Sequence, residues 1–133
     1  MKGATGFLTM LGTATLSIFL MQSAQAEFIE NNYICEDAYM EVAYDCGNDA
    51  IVVEKNRLNK IYKSVYRTLN KAQQQQLDKE QRIWLKHRND KCDFEYDGPM
   101  NNSVVYAQIN ANVCTANETQ KRSKAIAKKY NIK

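Results

Sequence analysis

The chain has 133 residues, with 18 Lys and Arg against 15 Asp and Glu, and it contains one His, one Pro, five Gly and four Cys. Its charges are segregated, because residues 27–50 hold seven carboxylates and no cation, whereas residues 121–133 hold six cations and no carboxylate. This distribution argues against a nucleic-acid binder, which needs one broad basic face. No Gly-rich phosphate loop and no Ser/His/Asp arrangement is present, so the sequence also argues against an enzyme, a cofactor or a metal site.

The first residues have the organisation of a secretory signal peptide. Lys2 precedes an apolar run over residues 7–21, and the small-x-small sequence AQA ends at Ala26. The apolar run is too short and too often interrupted by Gly and Thr to span a bilayer comfortably. We therefore expect residues 1–26 to be removed, residues 27–133 to form a single domain, and the protein to be periplasmic or secreted.

The four cysteines all lie in the expected mature chain, at Cys35, Cys46, Cys92 and Cys114. An even number of cysteines in a small exported chain indicates two disulfides. Intervening stretches of 10, 45 and 21 residues, together with a single His, do not suit a zinc site. Three pairings are possible, and the pairing in sequence order closes the two shortest loops.

Hydrophobic periodicity predicts helices along the mature chain. A first helix, with Asn48 or Asp49 as its N-cap, is indicated by a stripe that comprises Ile51, Leu58, Ile61, Tyr62, Val65 and Leu69. A second helix, preceded or begun by the four Gln at 73–76, is predicted to run to about Lys91, and the breaker DGP follows at 97–99. Apolar repeats then continue to Tyr130. The predicted fold class is all-α: a small three- to four-helix bundle with an irregular N-terminal segment, stapled by two disulfides.

The stretch QRIWLKHRNDKC at 81–92 contains the chain's only Trp and only His. Trp84 lies within the helical stripe and is predicted to be a core residue, whereas His87 lies beside the stripe and is predicted to be a boundary residue. A long cation on such a stripe needs a partner, and the Thr119 hydroxyl is a candidate acceptor. We interpret five residues as a structural seam between helices: Gln81, Trp84, Arg88, Thr119 and Arg122.

Three groups of residues form a distinctive pattern: Gln81-Arg82-x-Trp84-x-x-x-Arg88 followed by Cys92, then Cys114 followed by Thr119, Arg122 and Ile126, and upstream Cys35-x10-Cys46 with Arg57-Leu58-Asn59 and Tyr62. Together they resemble the LprI-like lysozyme inhibitor family of exported bacterial proteins. The resemblance covers about residues 33–127. One departure is Asn89, which stands where the family commonly has Asp.

The resemblance implies a small helical fold with Cys35 paired to Cys46 and Cys92 paired to Cys114. It also implies inhibition of lysozyme, so the expected partner is a lysozyme or a related peptidoglycan hydrolase. Because lysozymes are commonly basic, exposed carboxylates would speed their encounter with this chain. The carboxylates expected to bind the partner are Glu36, Asp37, Glu41, Asp45, Asp49, Asp93, Glu95 and Asp97.

The alternative to an inhibitor is an envelope binding or structural module of the same fold without inhibitory activity. In that case the Lys-rich last helix would contact anionic headgroups or polymers. Under either hypothesis we expect a monomer with no cofactor, no nucleic-acid partner and no stable membrane insertion.

Overall fold

The computed structural model describes residues 31–37, 39–94 and 96–132. The expected signal peptide and its cleavage site lie outside these residues. The described chain consists of three helices and no strand, so the all-α prediction is confirmed. The helices are α1 (Met40–Tyr66), α2 (Lys71–Lys91) and α3 (Asn102–Lys129).

The starts of α2 and α3 are set by short polar side chains. Asn70 and Gln73 form a reciprocal capping box, in which each side-chain oxygen accepts from the other residue's backbone N–H at 3.0 Å. Asn101 caps α3 by accepting from the Ser103 N–H at 2.8 Å. The predicted end of α2 at Lys91 is confirmed, and the DGP breaker lies in the connection between α2 and α3.

The predicted start of α1 at Asn48 or Asp49 is wrong, because the helix begins at Met40. Its first turns bury Ala43 and Gly47, which are small residues that a search for large apolar side chains does not register. The two apolar repeats predicted after the breaker belong to one continuous helix, α3.

Helices α1 and α3 run parallel and form the main interface of the fold. Near their starts, Ala43 packs in one cluster with Ile109. Near their ends, Leu58 packs in a second cluster with Ile126. Helix α2 runs in the opposite direction, because Leu77 near its start joins the second cluster while its end is bonded to the first half of α3.

The second cluster, which we call the apolar end, has a core of large aliphatic side chains. Its buried members are Leu58, Ile61, Val65, Leu77 and Ile126. Each such side chain contributes roughly 1.5–3 kcal/mol when it is removed from water. The half-buried aromatic rings of Tyr62, Tyr66, Trp84 and Tyr130 pack around them.

The first cluster, which we call the head end, brings the two backbones close together. A Cβ atom placed on Gly47 would lie 3.3 Å from the Asn112 Cβ, a contact so close that the neighbouring residue would have to shift by a few tenths of an ångström. Beside it, Asn112 donates to the Asn48 side-chain oxygen at 2.9 Å. Apart from Ile109, the buried residues at this end are therefore small or carry an amide.

Two disulfides complete the frame, and both have the pairing that the family resemblance implied. Cys35–Cys46 joins the extended N-terminal segment to α1, with a Cα–Cα distance of 5.7 Å. Cys92–Cys114 joins the C-cap of α2 to α3, with a Cα–Cα distance of 5.5 Å. No cysteine is left free. Such bonds persist in oxidising compartments.

Candidate functional site

A buried carboxylate anchors the extended segment that precedes α1. Glu54 is fully buried, and its Oε1 accepts from the Tyr33 hydroxyl at 2.7 Å and from Arg57. Burial and the hydrogen bond to this carboxylate raise the pKa of Tyr33 to about 12, because both disfavour the phenolate. The Tyr33 backbone is held by Asn117, whose amide accepts at 2.7 Å and donates at 3.2 Å.

The sequence analysis did not predict this anchor, because it assigned Glu54 neither to the core nor to a functional site. The available signal was its position: Glu54 lies four residues after Ala50 and four residues before Leu58 on the buried stripe of α1. A carboxylate at such a position needs hydrogen-bonding partners from neighbouring segments. Tyr33 and Arg57 supply them.

The anchored segment and the start of α1 present the carboxylates that the sequence predicted as partner-binding. Glu36 and Asp37 are exposed ahead of the helix. Glu41, Asp45 and Asp49 are exposed and follow each other at intervals of four residues, so they share one face of α1. We call these five residues the acidic ridge.

Aromatic and apolar side chains lie beside the acidic ridge. Tyr39 is 75% exposed and Tyr44 is 39% exposed. Between α1 and α3 there is an open hollow of about 530 Å³, which is lined by Met40, Glu41, Tyr44, Asp45 and Val105. Exposed tyrosines next to charged groups are typical of surfaces that bind other proteins.

The remaining predicted carboxylates lie in the connection between α2 and α3. Asp93 and Asp97 are exposed there, while Glu95 lies outside the described residues. Asp93 lines a shallow hollow beside Cys92–Cys114, together with Ala107 and Asn110 of α3. Asp93 therefore lies next to the first half of α3.

The five residues interpreted as a seam lie together between α2 and α3. Arg88 Nη1 donates to Thr119 Oγ1 at 3.4 Å, and Arg122 Nε donates to Gln81 Oε1 at 3.0 Å. The two guanidinium carbons lie 5.1 Å and 5.8 Å from the Trp84 ring centroid. Trp84 is half-buried, unlike the core residue that its position predicted, because the two arginines cover the ring and do not enclose it completely.

The seam arginines are held without a direct carboxylate partner in the part of the chain that the structure describes. Burial lowers the pKa of Arg88 and of Arg122. Arg122 Nη2 is buried and has no hydrogen-bond acceptor among the described residues. His87, which was predicted to be a boundary residue beside the stripe, is exposed.

The cations of the last helix largely serve its attachment to α2 or to its own turns. Lys129 pairs with Glu80 at 3.0 Å, and Lys121 pairs with Glu118 at 2.8 Å. Glu118 also accepts from Lys91 at 3.0 Å. These ion pairs leave a smaller free positive charge on α3 than the sequence suggests.

Neither a metal site nor a membrane-spanning helix is found among residues 31–37, 39–94 and 96–132. No group of three His, Cys, Asp or Glu side chains is placed to hold a metal ion. None of the three helices combines the length and the apolar character that crossing a bilayer requires.

A comparison with protein families finds one family that matches most of the chain. The family described as lysozyme inhibitor LprI matches residues 35–126, which is 92 of the 133 residues. The chain belongs to the LprI family. No curated protein and no solved structure matches it. In this LprI domain, the matched range extends from the first disulfide cysteine to Ile126 of the apolar end.

Proposed function

We propose that the protein is an exported, non-enzymatic inhibitor that binds a lysozyme-type peptidoglycan hydrolase through its acidic ridge. Membership of the LprI family is the observation that carries this proposal. Removal of residues 1–26 after export, with Glu27 as the new N-terminus, is part of the same proposal. Two disulfides in so small a chain are consistent with an oxidising compartment outside the cytoplasm.

The acidic ridge supports this assignment through charge and rigidity. Its five carboxylates are exposed, and they would attract a basic enzyme over a distance that salt limits to about 8–10 Å near physiological ionic strength. The flanking segment is fixed by Cys35–Cys46 and by the hydrogen bond between Tyr33 and Glu54. Preorganisation of this kind lowers the ordering cost of association.

The alternative of an envelope module that binds through its basic last helix has less support. Lys121 and Lys129 are engaged in ion pairs with carboxylates. Ile126 on the same helix is buried in the apolar end. Helix α3 therefore offers neither an apolar face nor a continuous row of free cations to an anionic surface.

The test is inhibition of, and binding to, several basic lysozymes by residues 27–133. Glu41→Lys, Asp45→Lys and Asp49→Lys together should slow association at least about tenfold at low salt, because electrostatic steering acts mainly on the association rate. Raising the salt concentration should reproduce part of this loss in the wild-type protein.

The matched control places the same change of charge outside the acidic ridge, with Asp93→Lys and Asp97→Lys in the connection after α2 and Asp90→Lys near the end of α2. This variant should retain more of the association rate than the ridge variant. If the control variant were slowed more, the contact would lie between α2 and α3. If no lysozyme were bound by the wild-type protein, the proposed function would be wrong.

A further inference from the structure

An open groove of about 430 Å³ lies between α1 and α2, farther along α1 than the acidic ridge. This volume is within the range of sites that hold small molecules. The groove exists because α2 lies much less close to α1 than α3 lies to α1. Leu58 and Leu85 provide apolar surface, and the amide side chains of Asn59 and Gln81 provide polar groups.

The lining of the groove is predominantly positive. Lys55, Arg82 and Arg88 face a single lining carboxylate, Asp78. That carboxylate already accepts a hydrogen bond from the Tyr62 hydroxyl. The groove therefore keeps a positive excess.

The three cations of the groove lack neutralising partners among the described residues. Lys55 and Arg82 are exposed and form no ion pair there. Arg88 is half-buried, and its guanidinium donates to the neutral oxygens of Asn89 and Thr119. Burial lowers the pKa of Arg88, and no nearby carboxylate offsets that effect.

One of the polar groups is oriented by the seam behind the groove. Gln81 Oε1 accepts from Arg122 Nε at 3.0 Å, which directs the amide NH₂ group away from that arginine. This NH₂ group has no acceptor within residues 31–132 as far as the structure describes them. The groove thus combines an oriented amide donor with two exposed cations, Lys55 and Arg82, that form no ion pair among the described residues.

We propose that this groove is a binding site for a small organic oxyanion, a carboxylate or a phosphate carried on a body of about the size of a sugar or glycerol. Arg82 would bind two anion oxygens through its planar fork, and Lys55 would approach from the opposite wall. The leucines would cover the less polar face of the ligand. This proposal does not depend on lysozyme inhibition, because the groove and the acidic ridge use different residues.

The test uses three ligands: two sugars that differ by a carboxylate-bearing substituent, and a phosphate ester. N-acetylmuramic acid carries a carboxylate that N-acetylglucosamine lacks, and glycerol 3-phosphate represents the phosphate source. Calorimetric titration of residues 27–133 should detect binding of at least one of the two anions and no binding of the neutral sugar. A change in the fluorescence of Trp84, the chain's only Trp, should accompany binding because Arg88 stacks on its ring.

The variant Lys55→Gln with Arg82→Gln should weaken anion binding by at least about tenfold, because two charge-assisted contacts are lost. Both side chains are exposed, so the variant should fold with an unchanged circular dichroism spectrum. Lys79→Gln is the matched control: it removes one cation of α2 that is exposed and does not line the groove. Its affinity for the anion should equal that of the wild type.

Stronger binding of N-acetylmuramic acid would identify the carboxylate as the recognised group, and stronger binding of glycerol 3-phosphate would identify the phosphate. Three results would overturn the proposal. The first is that neither anion binds, and the second is that the neutral sugar binds as tightly as the anions. The third is that Lys79→Gln weakens anion binding as much as Lys55→Gln with Arg82→Gln.

Discussion

The two ends of the α1–α3 pair are held together by different means. At the apolar end, large side chains such as Ile61 and Ile126 fill the core and no disulfide is present. At the head end, Ala43 and Gly47 let the helices approach closely, and Cys35–Cys46 ties the N-terminal segment to them. Small side chains bury less apolar area, so the covalent bond supplies stability that the local core lacks.

This difference indicates where a small domain can place a binding surface: at the end that is stabilised by a disulfide and not by large core side chains. The acidic ridge lies at the head end, where the surrounding segment is fixed by a disulfide and by the Tyr33–Glu54 hydrogen bond. Its exposed side chains therefore do not need to contribute to the core. At the apolar end the aromatic side chains are used for packing around the aliphatic cluster.

The largest expected effect is a loss of packing at the apolar end. Ile61→Ala should lower the free energy of unfolding by about 2–5 kcal/mol, because it removes buried methyl and methylene groups and leaves a cavity. Urea-induced unfolding measures the change. Val52→Ala is the control, since Val52 is exposed on the same helix and its truncation should cost less than about 0.5 kcal/mol. Equal losses in the two variants would contradict the comparison.

Removal of the head-end disulfide should have a somewhat smaller effect. Cys35→Ser with Cys46→Ser should lower the free energy of unfolding by about 2–4 kcal/mol, because the unfolded chain is no longer constrained. The Tyr33 amide, which donates to Asn117, should then exchange its hydrogen faster. Cys92→Ser with Cys114→Ser is the control: it should lower stability without selectively exposing this amide. A protected Tyr33 amide in the first variant would show that the disulfide does not fix the segment.

The smallest expected effect concerns two ion pairs of α3, one of them to α2 and the other within α3. The hydrogen bond from Lys129 lowers the pKa of Glu80, and that from Lys121 lowers the pKa of Glu118, relative to 4.5. The stabilisation is therefore complete well above pH 4.5 and is lost as the pH falls through the depressed folded values. Each carboxylate should contribute no more than about 1 kcal/mol, because the pairs are partly exposed.

Unfolding measured from neutral to acid pH tests this last expectation. In Lys129→Met, which removes the partner of Glu80, the loss of stability on acidification should be smaller than in the wild type. An unchanged pH dependence would mean that the Glu80–Lys129 pair does not contribute. Lys86→Met provides the control, because Lys86 pairs only with the exposed Asp90 within one turn of α2.

The helices were largely predictable because their signals are local, whereas the pairing of the cysteines was implied only by the resemblance to the LprI-like family. The end of α2 at Lys91 is followed by the DGP breaker within a few residues, and a long apolar repeat marks α3. The start of α1 was missed because Ala43 and Gly47 carry no strong apolar signal. The stripe that they share with Leu58 is evident only once the partner helix is in place.

The site was less predictable because it depends on distances between helices. The sequence placed Gln81 and Arg88 in a structural seam, and these residues do contact α3. The same two residues also line the groove beside α1, which exists only because α2 stands apart from that helix. The spacing of residues within α2 cannot predict the distance between α2 and α1.

The parallel pairing of the first and last helices also governs when the chain can fold. A nascent chain that ends before residue 102 lacks Ile109 and Ile126, and it lacks the Asn117 amide that holds Tyr33. Because nearly all contacts between helices involve α3, we expect folding to wait until nearly all of α3 has been synthesised. A fragment of residues 27–101 should accordingly show little protection from hydrogen exchange. A chain that remains unfolded until this stage stays suited to passage through a narrow translocation channel before its disulfides form.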